Sequence, residues 1–153
     1  NNEYYGKVMK GATKYGYGTV AYKDPGTMRP SMAGRTLAYT SGNIGPTSTG
    51  AHLDVKRVDG SYFDYNDLDQ YVEVQDPELG TVPLGAVPQT GDWASHKSRG
   101  SHGRDYGLYA GTPVFIKNGA VVVQRGEGYE HGDNTIIRLP DGRQFRFLHG
   151  TAG

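Results

Sequence analysis

The 153-residue chain contains no cysteine, which excludes disulfides, thiolate zinc ligands and cysteine nucleophiles. It has no charge excess either: 16 Lys and Arg balance 16 Asp and Glu. A nucleic-acid surface working by bulk electrostatics needs a basic surplus, so no nucleic-acid partner is expected. No apolar run approaches the ~18 residues of a membrane-crossing helix, so no membrane span is expected. Helical periodicity is scarce, and Trp93 is the single tryptophan. With thiols gone, the groups left for chemistry are imidazoles, carboxylates and hydroxyls.

What is abundant is glycine, 24 residues, and tyrosine, 12. Glycine is about twice its usual ~7%, with no repeat period to indicate a collagen or a solenoid. Strand-like alternation occupies 18–23, 35–41, 51–58, 112–117, 119–125, 134–139 and 143–149, separated by Gly, Asn-Gly and Asp-Gly. "KNGA" at 117–120 and "PDGR" at 140–143 carry hairpin turn chemistry. Residues 63–74 hold a short helical turn at most. The expected fold class is therefore all-β and mostly antiparallel, with few or no helices. Residues 76–100, rich in Pro and Gly, read as a connector between halves 1–75 and 101–153 of a single domain.

"GPTSTGAHLDV" at 45–55 sets His52 and Asp54 two apart, on one face of a strand. A histidine and a carboxylate so placed form a metal half-site, an acid–base pair or a surface hydrogen bond. "SHGRDYG" at 101–107 offers His102 and Asp105, and "FLHG" ends a strand on His149. Three histidines and two aspartates that converge would suit a zinc site for hydrolysis with one position left for water. Each spacing alone is common, and the Gly-rich loops are mostly turn chemistry; no phosphate-loop motif is present.

"GTPVFIKNGAVVV" at 111–123, "RGSHGRDYG" at 99–107, "GEGYEHGDNTIIRLPDGRQFRFLHG" at 126–150 and "AGRTLAYTSGNIGPTSTGAHLDVKRVDGSYFDY" at 33–65 together resemble the LytM/lysostaphin-type zinc endopeptidases, which cut peptidoglycan cross-bridges. The resemblance covers about two-thirds of the chain and rests on the GTPV and STGxHL motifs jointly. It implies a LytM-like antiparallel sheet, with peptidoglycan or a cell-wall glycopeptide as partner. The order of the motifs is swapped relative to the family, as a circular permutation would leave it. Permutation is tolerated where termini lie close together and the new cut falls in an exposed loop.

The ligand pattern departs from the family's. Aligned on "DYGLYAGTPV", Asp105 matches the family's aspartate ligand. Ser101 stands where the HxGxD histidine belongs, with His102 one residue late, and Asp54 replaces the last histidine of HxH. His52 and His149 match the two non-ligand catalytic histidines. One implication is a metal site of His102, Asp105 and Asp54, served by His52 and His149, with Thr47, Ser48, Tyr106 and Tyr129 lining a substrate groove. The other, favoured by the loss of two aligned ligands, is a degenerate peptidase domain without bound zinc. Such a domain would serve as a wall-facing binding or structural module of a phage tail or virion. A purely structural role, with virion proteins or copies of itself as partners, is the third; zero net charge lowers the barrier to self-association. Each places the protein on a virion or facing the cell wall.

Overall fold

The computed structural model describes residues 34–153 except 47, 49, 99–101 and 127, and leaves the Tyr129 side chain undescribed. The strand expected at 18–23 lies outside the described residues. In chain order come β1 (Thr36–Thr40), β2 (Leu53–Arg57), β3 (Val72–Asp76), β4 (Gly80–Pro83) and β5 (Gln89–Gly91). A short helix, α1 (Trp93–Ser98), precedes β6 (Arg104–Tyr106), β7 (Pro113–Ile116), β8 (Val121–Gln124) and β9 (Gly128–Tyr129). The chain closes with β10 (Gly132–Asp133), β11 (Thr135–Arg138), β12 (Gln144–Leu148) and β13 (Thr151–Ala152).

The strands pair antiparallel in a five-stranded sheet, β13-β1-β7-β3-β4, a six-stranded sheet, β5-β6-β2-β12-β11-β8, and the small β9–β10 ladder. The all-β, antiparallel expectation holds. Both large sheets draw strands from residues 34–75 and from 101–153, so the two halves interleave. Among the described residues, no helix is long and apolar enough to cross a membrane.

Alternation decides which side chains meet. Leu53, Val55, Phe145 and Phe147 of the six-stranded sheet join Ala38, Tyr39, Val72 and Val114 of the other in one apolar cluster. Each of the Val, Leu and Phe side chains among them, fully buried, adds about 1.5–3 kcal/mol. The Tyr39 and Phe147 rings lie 5.7 Å apart, and Phe63 meets Phe145 edge-on at 5.2 Å. Asp54, Lys56, Arg146 and Leu148 occupy the opposite face of the same sheet.

The two turn motifs fare differently. "PDGR" closes the β11–β12 hairpin, with Leu139 N–H donating to Arg143 O at 2.9 Å. "KNGA" also turns, with Asn118 at φ 56° and Ala120 N–H on Lys117 O at 3.1 Å. But β7 and β8 belong to different sheets, so this turn hands the chain across the core instead of closing a hairpin. The region read as a connector is built structure: β4, a 3-10 turn at Leu84–Ala86, β5 and α1.

Of the stretch 63–74 read as a short helical turn, residues 64–71 form successive turns and 72–74 belong to β3 instead. The turns carry Asp69, whose Oδ1 accepts the Gly85 N–H at 2.7 Å. Burial lifts the Asp69 carboxyl to about 6, against the opposing pull of that N–H and helped by the charge of Asp67. The fold therefore holds a proton that the unfolded chain has released, and stability falls as pH rises from 3.8 to about 6. Asp69→Asn keeps the acceptor and removes the charge. Its expected result is no change at about pH 4 and a gain of about 1–2 kcal/mol at about pH 8, after solvent screening. Urea unfolding at the two pH values measures both.

Candidate metal centre

The site grows from the register of three neighbouring strands. Asp54 on β2 stands directly opposite Asp105 on β6 and, on its other side, opposite Leu148 on β12. Two carboxylates directly opposed on one sheet face repel, so a cation has to sit between or beside them. Glycine makes the close approach possible. A Cβ on Gly91 would lie 2.4 Å from Asp105 Oδ2, and one on Gly103 would lie 2.9 Å from Asp54 Oδ1.

The third member is His96, which no motif marks. It lies on α1 and is only 3% exposed. Its Nε2 is 3.1 Å from Asp105 Oδ1 and 3.8 Å from Asp54 Oδ2. Asp92 starts this helix, its Oδ1 accepting the Ser95 N–H at 2.7 Å in the manner of an N-cap. One ligand atom from each of Asp54, His96 and Asp105 lies within 4.8 Å of the others.

His102, expected to complete the set, is elsewhere: its ring packs on Trp93 with centroids 5.4 Å apart. It lies two residues before β6, on the Trp93 side of α1, while His96 projects from the same helix onto the carboxylates. Tyr106 is also displaced from its expected place in a groove. Paired with Leu53, it faces the core, fully buried, stacked on Tyr65 at 4.7 Å with its hydroxyl on Tyr65 O at 2.9 Å. Thr47 and the Tyr129 side chain lie outside the described residues. Ser48 is beside the site, its Oγ 3.4 Å from His52 Nδ1.

His52 and His149 both reach the cluster. His52 Nε2 is 3.8 Å from Asp105 Oδ1, and His149 Nε2 is 3.7 Å from Asp54 Oδ2; the two rings are 4.7 Å apart. Simple alternation would turn His149 toward the core with Phe147. A left-handed backbone, φ 74°, turns it back, a conformation that costs about 1–2 kcal/mol outside glycine. Three hydrogen bonds hold it there. Its N–H donates to His131 O at 2.7 Å, its carbonyl accepts from Ile44 N–H at 3.1 Å, and its Nδ1 meets Ile44 O at 2.6 Å. The His131 ring stands edge-on to His149 at 5.7 Å, 3.3 Å from the Glu130 carboxylate.

One pattern unites the three inner histidines. Nδ1 of His52 faces Gly50 O at 2.7 Å, Nδ1 of His96 faces Asp92 O at 2.9 Å, and Nδ1 of His149 faces Ile44 O. A carbonyl only accepts, so Nδ1 carries the hydrogen in each ring, and each Nε2 is aimed at the carboxylates. Backbone carbonyls orient metal-binding imidazoles in this way.

The electrostatics agree. Burial alone would raise the Asp54 carboxyl, but His149, His96 and the Lys56 ammonium outweigh it and hold the group far below the usual carboxylate range. Burial disfavours an imidazolium, yet Asp105 and Asp54 push His96 up to about 9, and Asp54 likewise raises His149. A proton on His96 thus fills the role of a cation. Asp54 Oδ1 is buried without a hydrogen-bond partner. A tetrahedral ion with ~2.0–2.2 Å bonds needs ligand atoms roughly 3.3–3.6 Å apart, so the cluster needs only small side-chain movements to hold one. No family model, curated protein or solved structure matches the chain.

Proposed function

We propose that the protein is a metal-dependent peptide hydrolase acting on peptidoglycan peptides, with Asp54, His96 and Asp105 holding zinc. The observation that carries this reading is the convergence of three carbonyl-anchored imidazoles on one carboxylate pair. Loss of two of the three aligned ligands counts against activity only if nothing replaces them. His96 supplies from α1 the imidazole that the strand motif lacks, which restores a full set of three. The resemblance to LytM-type peptidases supplies the substrate class, and a wall-facing or virion location is where that substrate is met. The adjacency of β2 and β6, carrying the two motif halves in swapped order, supports a permuted relative of that family.

A bound divalent ion would supply Lewis-acid activation of water and of the scissile carbonyl. The chain's own residues do the rest. His52 Nε2 is placed to take the proton of the attacking water, its ring fixed by Gly50 O. His149 Nε2, beside it, donates to the carbonyl oxygen as charge develops there and then protonates the leaving amine. The left-handed backbone at His149, clamped by Ile44 and His131, is the strain that keeps this group aimed at the site.

The test is turbidity clearing of purified cell walls by protein stripped with chelator and then reloaded. Clearing should be absent after stripping and return with stoichiometric zinc. Zinc-loaded protein that leaves walls and their peptides intact would refute the hydrolase reading.

A further inference from the structure

We propose that Arg146 binds a carboxylate, and that it makes the site selective for peptides with a free carboxylate close to the cleaved bond. The substrate class rests on the hydrolase reading above; the subsite rests on a separate observation. Arg146 on β12 is paired directly with Lys56 on β2 and, on its other side, with Ile136 on β11. Directly opposed residues share a sheet face. Lys56 Nζ lies 3.2 Å from Asp54 Oδ2, which makes that face the one bearing the metal cluster. Arg146 therefore stands two residues along β12 from Leu148, the residue opposite Asp54, about 7 Å by the strand repeat.

Two cations facing each other across a ladder repel. Lys56 is answered by Asp54, but Arg146 has no answer: among the described residues no side chain or carbonyl meets its guanidinium, and its Nε is buried without a partner. Ile136 and Leu148, only 7% and 5% exposed, flank it on the same face. The guanidinium is thus a half-buried fork of donors lacking an acceptor among the described residues, on the face that carries the metal cluster. A donor group left without an acceptor is costly, and an acceptor brought by a ligand would answer the charge of the guanidinium. A planar fork matches a carboxylate in two parallel hydrogen bonds. On a peptide substrate the carboxylate is the anion on offer.

The experiment uses two synthetic peptidoglycan peptides that differ only in whether the glutamyl α-carboxylate is free or is a carboxamide. Zinc-loaded wild type should cleave the carboxylate form with a kcat/KM roughly 10–100 times that of its twin. In Arg146→Gln the ratio should fall to near one, and Arg146→Lys, which keeps the charge without the fork, should retain part of it. Equal cleavage of the twins by wild type, or a preference that survives Arg146→Gln, overturns the proposal. If neither peptide is cleaved, the hydrolase reading fails, and calorimetric binding decides the subsite on its own. Tighter binding of the carboxylate form, lost in Arg146→Gln, supports it; equal binding rejects it. Should Arg146→Gln fail to fold by thermal melting, the wild-type ratio and Arg146→Lys decide the matter: a preference reduced by the lysine supports the subsite, and one left unchanged rejects it.

Discussion

His96→Ala is expected to remove zinc and hydrolytic activity together, whereas His102→Ala leaves both at wild-type levels. The two histidines are separated by only five residues, yet one projects from α1 onto Asp54 and Asp105 and the other packs on Trp93. Loss of a direct ligand should weaken zinc binding by more than the ~10–100-fold typical of losing an outer partner. It should also expose the repulsion of the opposed aspartates, lowering the stability of the metal-free protein by roughly 1–3 kcal/mol. Metal content by elemental analysis and thermal melting of the stripped variants read the two effects separately. A His102→Ala protein without zinc would show that the loop rearranges to use the motif histidine instead.

His52→Ala and His149→Asn should do the reverse, keeping the metal and losing the chemistry. Neither residue belongs to the set of three, and each offers Nε2 at the rim of the carboxylate pair, 3.8 and 3.7 Å away. General acid–base groups contribute about 10²–10⁴-fold, and kcat should fall by that amount while KM changes little. Asparagine is chosen at 149 because it tolerates the left-handed backbone better than most residues, so the lost imidazole is tested without a change of fold. Loss of zinc from either variant would make that histidine a ligand and would enlarge the metal set beyond three.

Much of this architecture is written in local pattern. Period-two alternation places Leu53 and Val55 in the core and Asp54 on the opposite face, and Asp-Gly closes the β11–β12 hairpin. What local pattern misses is decided by partners distant in sequence. Asn118 adopts its turn as its chemistry dictates, but whether the flanking strands pair depends on which sheet each joins. Tyr106 is a groove residue or a core residue according to its register with Leu53. His149 escapes alternation through one left-handed residue, held by Ile44 and His131 from other segments. His96 carries no motif spacing at all. The one available sign was Asp92, a capping residue that marks a helix start inside a stretch otherwise resembling a linker.

The most direct measurement is a crystal structure of the zinc-loaded protein with anomalous data collected at the zinc edge. The expected result is one strong peak bonded to Asp54, His96 and Asp105 at about 2.0–2.2 Å, with Nε2 of His52 and His149 outside bonding distance. A peak at His102, at the Glu130–His131 pair, or nowhere in the molecule would contradict the three-residue zinc site.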